Sequence, residues 1–442
     1  MSTWQKVKIG NFLYEREGKY KPNAKEVEGL SRIEKIDFKG NFHIGVKPSR
    51  TNLILVKRGD LVISGINVAK GAMGIYMGEE DVVATIHYSS YTFDKTKINL
   101  EYFKRFLKSP EFIRLLNEQV KGGIKTEIKP KHILPLEISL PDIVTQNEIV
   151  SNFEKIENDI AELDYDVRHQ QNLLKQLKQT ILQEAIEGKL TSKWREQNSD
   201  IEPASILLEK IKAEKEKLIK DKKIKKQKSL PPIADDEKPF EIPESWEWCR
   251  LGSITNAVRG GSPRPAGDPK FYNGDIPFLK VADLTNDDCM YVQKYTYSIK
   301  KAGLHKTRYI KDETLLLTNS GATLGIPKIS SFSTAFNDGI AAFIYMNEEL
   351  HKPYFYYMLK SKTQWFLKEA SRGQGQPNLN TDIIGGIIIA LPTFEEQKEI
   401  VSIIEKLFAI CDQLEEQIKS SKGNVDMLMK TVLKEAFEHG EG

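Results

Sequence analysis

A long internal repeat constrains the fold of this chain more than any other feature of its sequence. The segment 140–188 recurs at 391–439 without a gap, and its opening LPDIVTQNEIVSNFEK becomes LPTFEEQKEIVSIIEK in the second copy. Sixteen of the 49 paired positions are identical, which is well above chance for an ungapped match. A weaker match extends upstream, where YFKRFLKS at 102–109 resembles YFYYMLKS at 354–361. The chain is therefore predicted to contain two copies of one structural plan.

Each copy ends in a segment with a strict heptad period. Seam residues follow alternating spacings of four and three from Ile149 to Ile181 and again from Ile400 to Val432, and all are apolar except Gln170 and Ser421 at the same point of the two copies. Such a narrow seam indicates a coiled coil, with some 40 helical residues spanning roughly 60 Å in each copy. The alternative is two amphipathic helices on separate globular cores, but those need a broader apolar stripe. The predicted seam contains Ile149, Phe153, Ile156, Ile160, Leu163, Leu174, Leu177, Ile400, Ile404, Leu407, Cys411, Leu414 and Leu428.

The globular part of each copy is predicted to be an α+β domain. LILVKRGDLVIS in the first copy and RYIKDETLLLT in the second indicate strand, turn and strand. The segments 102–119 and 353–370 each indicate one helix. The predicted domains are a globular domain at 1–140, a long helix at 141–190, a basic linker with a helical segment at 191–242, a second globular domain at 243–391 and a second long helix at 392–442. Antiparallel pairing of the long helices would place the globular domains at opposite ends.

The composition says more about where the protein is located than about its activity. Three widely spaced cysteines among 442 residues exclude a disulfide framework and a four-thiolate zinc site. The opening MSTWQKVKIG has no apolar stretch typical of a secretory signal. The longest apolar run, at 383–391, is too short to cross a bilayer. These features predict a cytoplasmic protein with no membrane partner.

Familiar catalytic motifs are missing from the sequence. No G-x-x-x-x-G-K-[ST] phosphate loop, no H-E-x-x-H zinc motif and no Asn/Asp-Pro-Pro-aromatic motif of amino-methyltransferases occurs. The sequence therefore predicts a binding protein without a catalytic site, a metal or a cofactor of its own. The rival from another class is a lone methyltransferase or nuclease with unusual motifs, which methyl transfer by the isolated chain would reveal.

Basic and amide residues beside glycines form the candidate DNA-binding loops. Just upstream of the long helices lie KGGIKTEIKPKH at 121–132 and RGQGQPNLNTDI at 372–383, and VRGGSPRPAGDPKFYNG covers 258–274. Lysine or arginine beside glycine can bring a cation and a backbone N–H close to a DNA phosphate. Arginine can pair with a guanine edge, and asparagine or glutamine with an adenine edge. The alternatives are ordinary turns and solvated surface loops. The candidates are Lys57, Arg58, Lys70, Lys121, Lys125, Lys129, Lys131, Arg259, Arg264, Lys270, Arg372, Gln374, Gln376 and Asn378. The lysine-rich run 209–228 suits a solvated helix or flexible linker as well as a DNA-tracking patch.

Several segments together resemble the specificity subunits of type I restriction–modification systems. The most specific are GKLTSKWREQNSD at 188–200 and ASILLEKIKAEKEK at 204–217, which match a family signature beyond a conserved helix. PESWEWCRLGSI from Pro243 is typical of the entry to a target-recognition domain. Both long helices begin with the Leu-Pro and Gln-x-x-Ile pattern of the family, although 142–144 departs slightly from it.

The resemblance implies a fold, a function and partners. The two α+β domains would be target-recognition domains related by a pseudo-two-fold repeat, each reading one half of a bipartite double-stranded DNA target. Two methyltransferase subunits would dock on the helices and supply S-adenosylmethionine chemistry on adenine. Two restriction and translocase subunits would use ATP and Mg. The alternative function is a coiled-coil protein-interaction adaptor without DNA specificity.

Overall fold

The structure is a computed structural model, and it describes residues 4–37, 40–65, 72–119, 133–225, 229–321, 323–370 and 378–437. The chain forms two compact units. The first contains residues 1–170 and 417–442, and the second contains residues 171–416. Both long helices contribute to both units, because part of each helix lies in each unit.

Among its described residues, the first unit contains three β-sheets. Its strands are β1 Gln5–Lys8, β2 Leu13–Glu15, β3 Arg32–Ile36, β4 Phe42–Gly45, β5 Leu53–Val56, β6 Leu61–Ser64, β7 Met73–Ile75, β8 Val82–Thr85, β9 Tyr88–Phe93 and β10 Glu137–Leu140. Two four-stranded sheets have the orders β2-β9-β6-β7 and β4-β3-β8-β5. The entry strand β1 pairs antiparallel with the exit strand β10, which brings the two ends of the domain together.

The second unit repeats this arrangement with one additional strand. Its strands are β11 Glu247–Arg250, β12 Thr255–Arg259, β13 Tyr272–Leu279, β14 Tyr291–Val292, β15 Tyr297–Ile299, β16 Arg308–Ile310, β17 Leu315–Thr318, β18 Pro327–Ser330, β19 Thr334–Phe336, β20 Ile340–Met346 and β21 Ile388–Leu391. The sheet orders are β12-β20-β17-β18-β14, β15-β13-β19-β16 and β11-β21.

Strand pairing shows that the repeat covers the globular domains as well as the helices. Each sheet of the first unit has a counterpart in the second with the same order of equivalent strands. The parallel pair β3 and β8 corresponds to the parallel pair β13 and β19. The predicted strand–turn–strand segments form β5 and β6 in one copy and β16 and β17 in the other. In both copies the turn connects two different sheets.

The helices confirm the α+β fold class. They are α1 Leu100–Phe106, α2 Pro110–Gln119, α3 Ile143–Ile186, α4 Ser192–Gln197, α5 Ala204–Lys220, α6 Leu251–Ile254, α7 Val281–Thr285, α8 Lys352–Ser361, α9 Thr363–Ala370, α10 Thr381–Gly386 and α11 Phe394–Phe437. Over the residues that the structure describes, no helix has the length and apolar character needed to span a membrane.

The long helices α3 and α11 pair in an antiparallel manner within each unit. In the first unit, Phe153 near the start of α3 stacks on Phe437 at the end of α11, with ring centroids 5.7 Å apart. In the second unit, Lys178 near the end of α3 contacts Asp412 in the first half of α11 at 3.0 Å. Because later positions in α3 meet earlier positions in α11, the predicted antiparallel coiled coil is confirmed.

Burial along the predicted seam is uneven. Phe153, Leu174, Ile400, Ile404 and Cys411 are buried, and Ile149, Ile156, Ile160 and Leu407 are partly buried. Four seam leucines remain 39–45% exposed, namely Leu163, Leu177, Leu414 and Leu428. Two helices alone therefore leave part of the apolar stripe in contact with solvent.

The prediction of one helix in each globular domain needs correction. Each segment that was predicted to be a single helix forms two, with the breaks near Pro110 and Lys362. Proline cannot donate an amide hydrogen bond inside a helix, and the Ser109 hydroxyl accepts one from Phe112 N at 3.2 Å to begin α2. Within the linker, the predicted helical segment corresponds to α5, in which Leu207, Leu208 and Ile211 are buried. The five-part division of the chain stays a prediction.

Candidate nucleic-acid interface

The turn between β5 and β6 presents Lys57 and Arg58 on the surface of the first domain. Its geometry depends on Asp60, which is 2% exposed and accepts a hydrogen bond from the Lys57 amide at 2.8 Å. The Arg16 guanidinium donates to both carboxylate oxygens of Asp60, at 2.6 and 2.7 Å. This hydrogen bond raises the pKa of Arg16 despite partial burial. Lys57 Nζ lies 3.3 Å from Asp81, so part of its charge is already balanced.

In the second domain, Asp338 organises the loop that follows β12. Ser262 donates a hydrogen bond to its carboxylate at 2.7 Å, and Arg259 Nε donates to its backbone carbonyl at 2.5 Å. The hydrogen bond from Ser262 and the charges of Arg259 and Arg264 hold the pKa of Asp338 below its ordinary value. A cationic loop is thus fixed in place by one partly buried carboxylate.

Two glycines bring this loop close to the neighbouring backbone. A Cβ on Gly260 would lie 2.3 Å from the carbonyl oxygen of Asn337, and one on Gly261 would lie 2.4 Å from that of Lys306. Neither position can therefore accept a side chain without movement of the backbone. Arg264 and Lys270 are exposed further along the loop. Lys270 Nζ lies 5.5 Å from the centre of the Phe271 ring.

Asn378 is held at the end of the second candidate loop. It forms an isolated β-bridge with Ser320, and the next amide, that of Leu379, donates to Asn319 O at 2.8 Å. The Asn380 side chain then caps α10 by accepting from Ile383 N at 2.8 Å. The Asn378 side chain is exposed, while its backbone is held by the bridge to Ser320 and by the hydrogen bond of the next residue.

The remaining DNA-binding candidates lie outside the described residues. They are Lys70, Lys121, Lys125, Lys129, Lys131, Arg372, Gln374 and Gln376. DNA contact by any candidate residue therefore stays a prediction. Sequence reasoning missed Lys280, whose Nζ lies 3.3 Å from the centre of the exposed Tyr297 ring. No spacing in the sequence distinguishes this pair, because the two residues come from different elements.

A buried glutamine attaches each globular domain to its long helix. Gln146 accepts from Asn99 N at 2.8 Å and donates to Pro141 O at 2.8 Å. Gln397 occupies the equivalent position and accepts from His351 N at 2.8 Å while donating to Pro392 O at 3.1 Å. Both side chains are fully buried. The Gln-x-x-Ile pattern at each helix start thus has a structural reason, because the amide joins the helix start to the domain.

A second contact on the same face differs between the copies. In the first unit, Arg105 of α1 makes a two-point ion pair with Glu157 of α3, at 3.1 Å from Nε to Oε1 and 2.5 Å from Nη2 to Oε2. Burial lowers the pKa of Arg105, but Glu157 and neighbouring carboxylates together raise it above its ordinary value. The repeat-equivalent residues in the second unit are Tyr357 and Phe408, whose rings meet edge to face with centroids 5.8 Å apart.

A buried carboxylate joins the signature segment to the second domain. Glu396 is fully buried at the start of α11 and accepts hydrogen bonds from Thr191 Oγ1 at 2.6 Å and Trp246 Nε1 at 2.7 Å. Arg195 also pairs with Glu396 and donates to Gly188 O at 2.6 Å. Thr191 and Arg195 of GKLTSKWREQNSD and Trp246 of PESW therefore all contact the Glu396 carboxylate. These contacts stabilise the fold.

Sequence comparisons find known proteins that are similar to this chain. Residues 243–421 match the family model for the type I restriction modification DNA specificity domain. The EcoEI specificity subunit of Escherichia coli is 28% identical over 406 residues, covering 80% of this chain and 66% of the relative. The EcoAI specificity subunit of Escherichia coli is 33% identical over 258 residues, covering 56% and 42%. The chain thus spans about two thirds or less of the length of these relatives.

Solved structures with the same fold cover nearly the whole chain. A chain solved in work on complex assembly and conformational transition of the type I R-M system has a TM-score of 0.66 at 15% identity, with 98% of this chain and 97% of that chain covered. The HsdS subunit from Thermoanaerobacter tengcongensis has a TM-score of 0.53 at 16% identity, covering 99% and 97%. At these identities the structural likeness concerns the fold alone. The family-model match over 243–421 and these relatives thus make the chain similar to type I restriction enzyme specificity subunits.

Proposed function

We propose that this chain is a sequence-specific DNA reader, in which each α+β domain reads one half of a bipartite target. The observation that supports this best is the pair of globular domains with equivalent sheet orders, each attached by a buried glutamine to the start of its own long helix. Two such domains can differ in their loops while sharing one scaffold. The chain itself would carry no catalytic site.

The proposed partners include two methyltransferase subunits, which would dock on the long helices and methylate adenine in the target. The exposed seam leucines support this docking, because a partner helix would remove their apolar surface from water. Two restriction and translocase subunits would join the complex for cleavage. S-adenosylmethionine, ATP and Mg would then belong to these partner subunits. A cytoplasmic location is part of the same proposal.

Amide and lysine replacements are expected to separate base reading from phosphate binding. Replacing Gln376 or Asn378 with alanine should weaken discrimination within one half-site by about 1–3 kcal/mol for each lost bidentate pair. Replacing Lys121 or Lys129 should weaken binding to all sequences about equally and flatten the salt dependence. The measurement is binding to target and random duplexes over a range of salt concentrations.

Asn424→Ala on the exposed surface of α11 is the matched control for the amide replacements, and it should leave both affinities unchanged. If Gln376→Ala and Asn378→Ala both keep the original half-site preference, this loop does not read bases. If the unaltered chain binds no duplex in a salt-dependent manner, the adaptor function replaces DNA reading.

A further inference from the structure

A basic groove lies between the linker and the second globular domain, within the second unit. It has a volume of about 690 Å³. One wall contains the linker residues 222–225 and 229–231, and the other is formed by parts of β12 and α10. None of the individually named DNA-binding candidates is among the described residues that line this groove, but its lysines belong to the lysine-rich run 209–228.

Positive charge dominates the lining of the groove. Lys222, Lys223 and Lys225 come from the linker, Arg308 comes from β16, and Asp382 is the one carboxylate among the residues that line the groove. None of the three lysines has an ion-pair partner among the described residues. The positive charges of the three lysines repel one another, and Asp382 offsets this repulsion only in part. The groove therefore favours a bound anion.

The linker wall is anchored to the domain. Lys215 of α5 is buried and donates to Thr255 O at 2.7 Å, with a further hydrogen bond to Gly252 O. Burial lowers the pKa of Lys215 to about 8. On the other side of the lysines, Arg250 donates to Pro231 O at 2.8 Å and pairs with Glu237 at 2.9 Å. Residues on both sides of the lysines, Lys215 and Pro231, are thus held to the domain by hydrogen bonds.

The turn at the end of α5 sets the direction of the lysine run. Lys222 has a left-handed backbone with φ of 56°, and Lys223 N donates to Leu218 O at 2.9 Å. These features end a helix and turn the chain, so that the following residues run along the groove. Opposite them, Gly252 packs against Gly385, where a Cβ on Gly252 would lie 2.9 Å from the Gly385 backbone. Close contact between α6 and α10 therefore fixes the floor of the groove.

Both candidate reading loops of the second domain begin or end at this groove. Arg308 Nε donates to the carbonyl oxygen of Arg259, the last residue of β12 before the first loop. Thr381 and Asp382 in the opposite wall follow Asn378 of the second loop by three and four residues. A ligand bound in the groove would therefore lie next to any ligand that these loops contact.

We infer that the groove binds backbone phosphates of the DNA that flanks the half-site read by the second domain. This inference rests on the proposed function. A phosphodiester backbone fits better than an acidic protein segment, because the groove adjoins the reading loops and its cations are flexible lysines, which contact phosphates without regard to sequence. The lysine run would thus extend the footprint beyond the bases that the domain reads.

The test compares two triple variants of the full chain, each assembled with its methyltransferase subunits. The groove variant is Lys222→Gln, Lys223→Gln and Lys225→Gln. The control is Lys193→Gln, Lys217→Gln and Lys220→Gln, which removes the same charge from exposed lysines that do not line the groove. Binding is measured on target and random duplexes as salt is varied, and again on target duplexes shortened on the flank beside the second half-site.

The groove variant should lose affinity for both duplexes by the same factor. Its slope of log affinity against log salt should fall by about two to three, since each phosphate contact contributes about 0.9. Shortening the flank should weaken the unaltered and control complexes and leave the groove variant unchanged. Equal slopes and equal sensitivity to shortening in all three proteins would overturn the inference. Loss of a partner subunit from the groove variant, with DNA affinity retained, would overturn it in favour of an acidic protein segment. If the unaltered complex does not distinguish the target from random DNA, the proposed function itself fails.

Discussion

Glu157→Ala is expected to lower the free energy of unfolding of the first unit by about 2–3 kcal/mol. Arg105→Leu is expected to lower it by less. The reason is the unequal exposure of the two partners, since the Arg105 side chain is 10% exposed and that of Glu157 is 38% exposed. Without Glu157, a largely buried guanidinium loses its two-point partner and keeps the ion pair with Glu101 at 3.0 Å. Without Arg105, the Glu157 carboxylate can turn toward water. Hydrogen exchange of α1 and α3 in the intact chain measures the difference.

The second copy provides a sharper version of this test. Tyr357 and Phe408 fill the equivalent positions with an edge-to-face aromatic contact. The double replacement Arg105→Tyr with Glu157→Phe should therefore recover most of the stability that either single replacement loses. Lys104→Ala is the control, because Lys104 pairs with Glu101 at the surface and its loss should stay within about 0.5 kcal/mol. Strictly additive losses in the double variant would show that the two positions do not act as a pair.

One heptad inserted after Leu163 and another after Leu414 are expected to change the preferred distance between half-sites. The insertions keep the apolar seam continuous and lengthen each helix by roughly 10 Å at about 1.5 Å per residue. At about 3.4 Å per base pair, this corresponds to roughly three base pairs of duplex. Three pairs also rotate the groove by about 100°, so the complex must twist the DNA or bind it less tightly.

The expected result is a preferred spacer longer by about two to four base pairs, with weaker binding and both half-site sequences retained. Selection of bound duplexes from a library with randomised spacer lengths measures this preference. Four-residue insertions at the same places break the heptad phase, and they should abolish assembly instead of shifting the spacer. A stably folded heptad variant that still prefers the original spacer at full affinity would show that the helices do not set the distance.

Periodic and repeated features of the chain could be predicted from its sequence, because they depend on local spacing. The heptads predicted α3 and α11, and the alternating apolar runs predicted the strand pairs β5–β6 and β16–β17. The helix breaks near Pro110 and Lys362 were missed, since the apolar pattern continues across both of them.

Contacts between distant residues could not be predicted in the same way. Arg105 and Glu157 are 52 residues apart, and Thr191 and Glu396 are 205 apart, so no local pattern connects them. The signature around Thr191 was recognised by resemblance, and the structure gives its physical role. The groove at Lys222 was overlooked because a lysine run in a linker has the same sequence pattern whether it is solvated or lines a cavity.

The most direct measurement of the central claim is methylation-site mapping in cells that express this chain together with its partner subunits. The account predicts one methylated motif with two specified halves separated by a fixed number of unspecified base pairs. Exchanging residues 243–391 for the corresponding domain of a relative should change one half and leave the other half and the spacer intact, whereas the chain expressed without partners should produce no methylation. A single uninterrupted motif, or a change in both halves after the exchange, would contradict the claim that each domain reads its own half of the target.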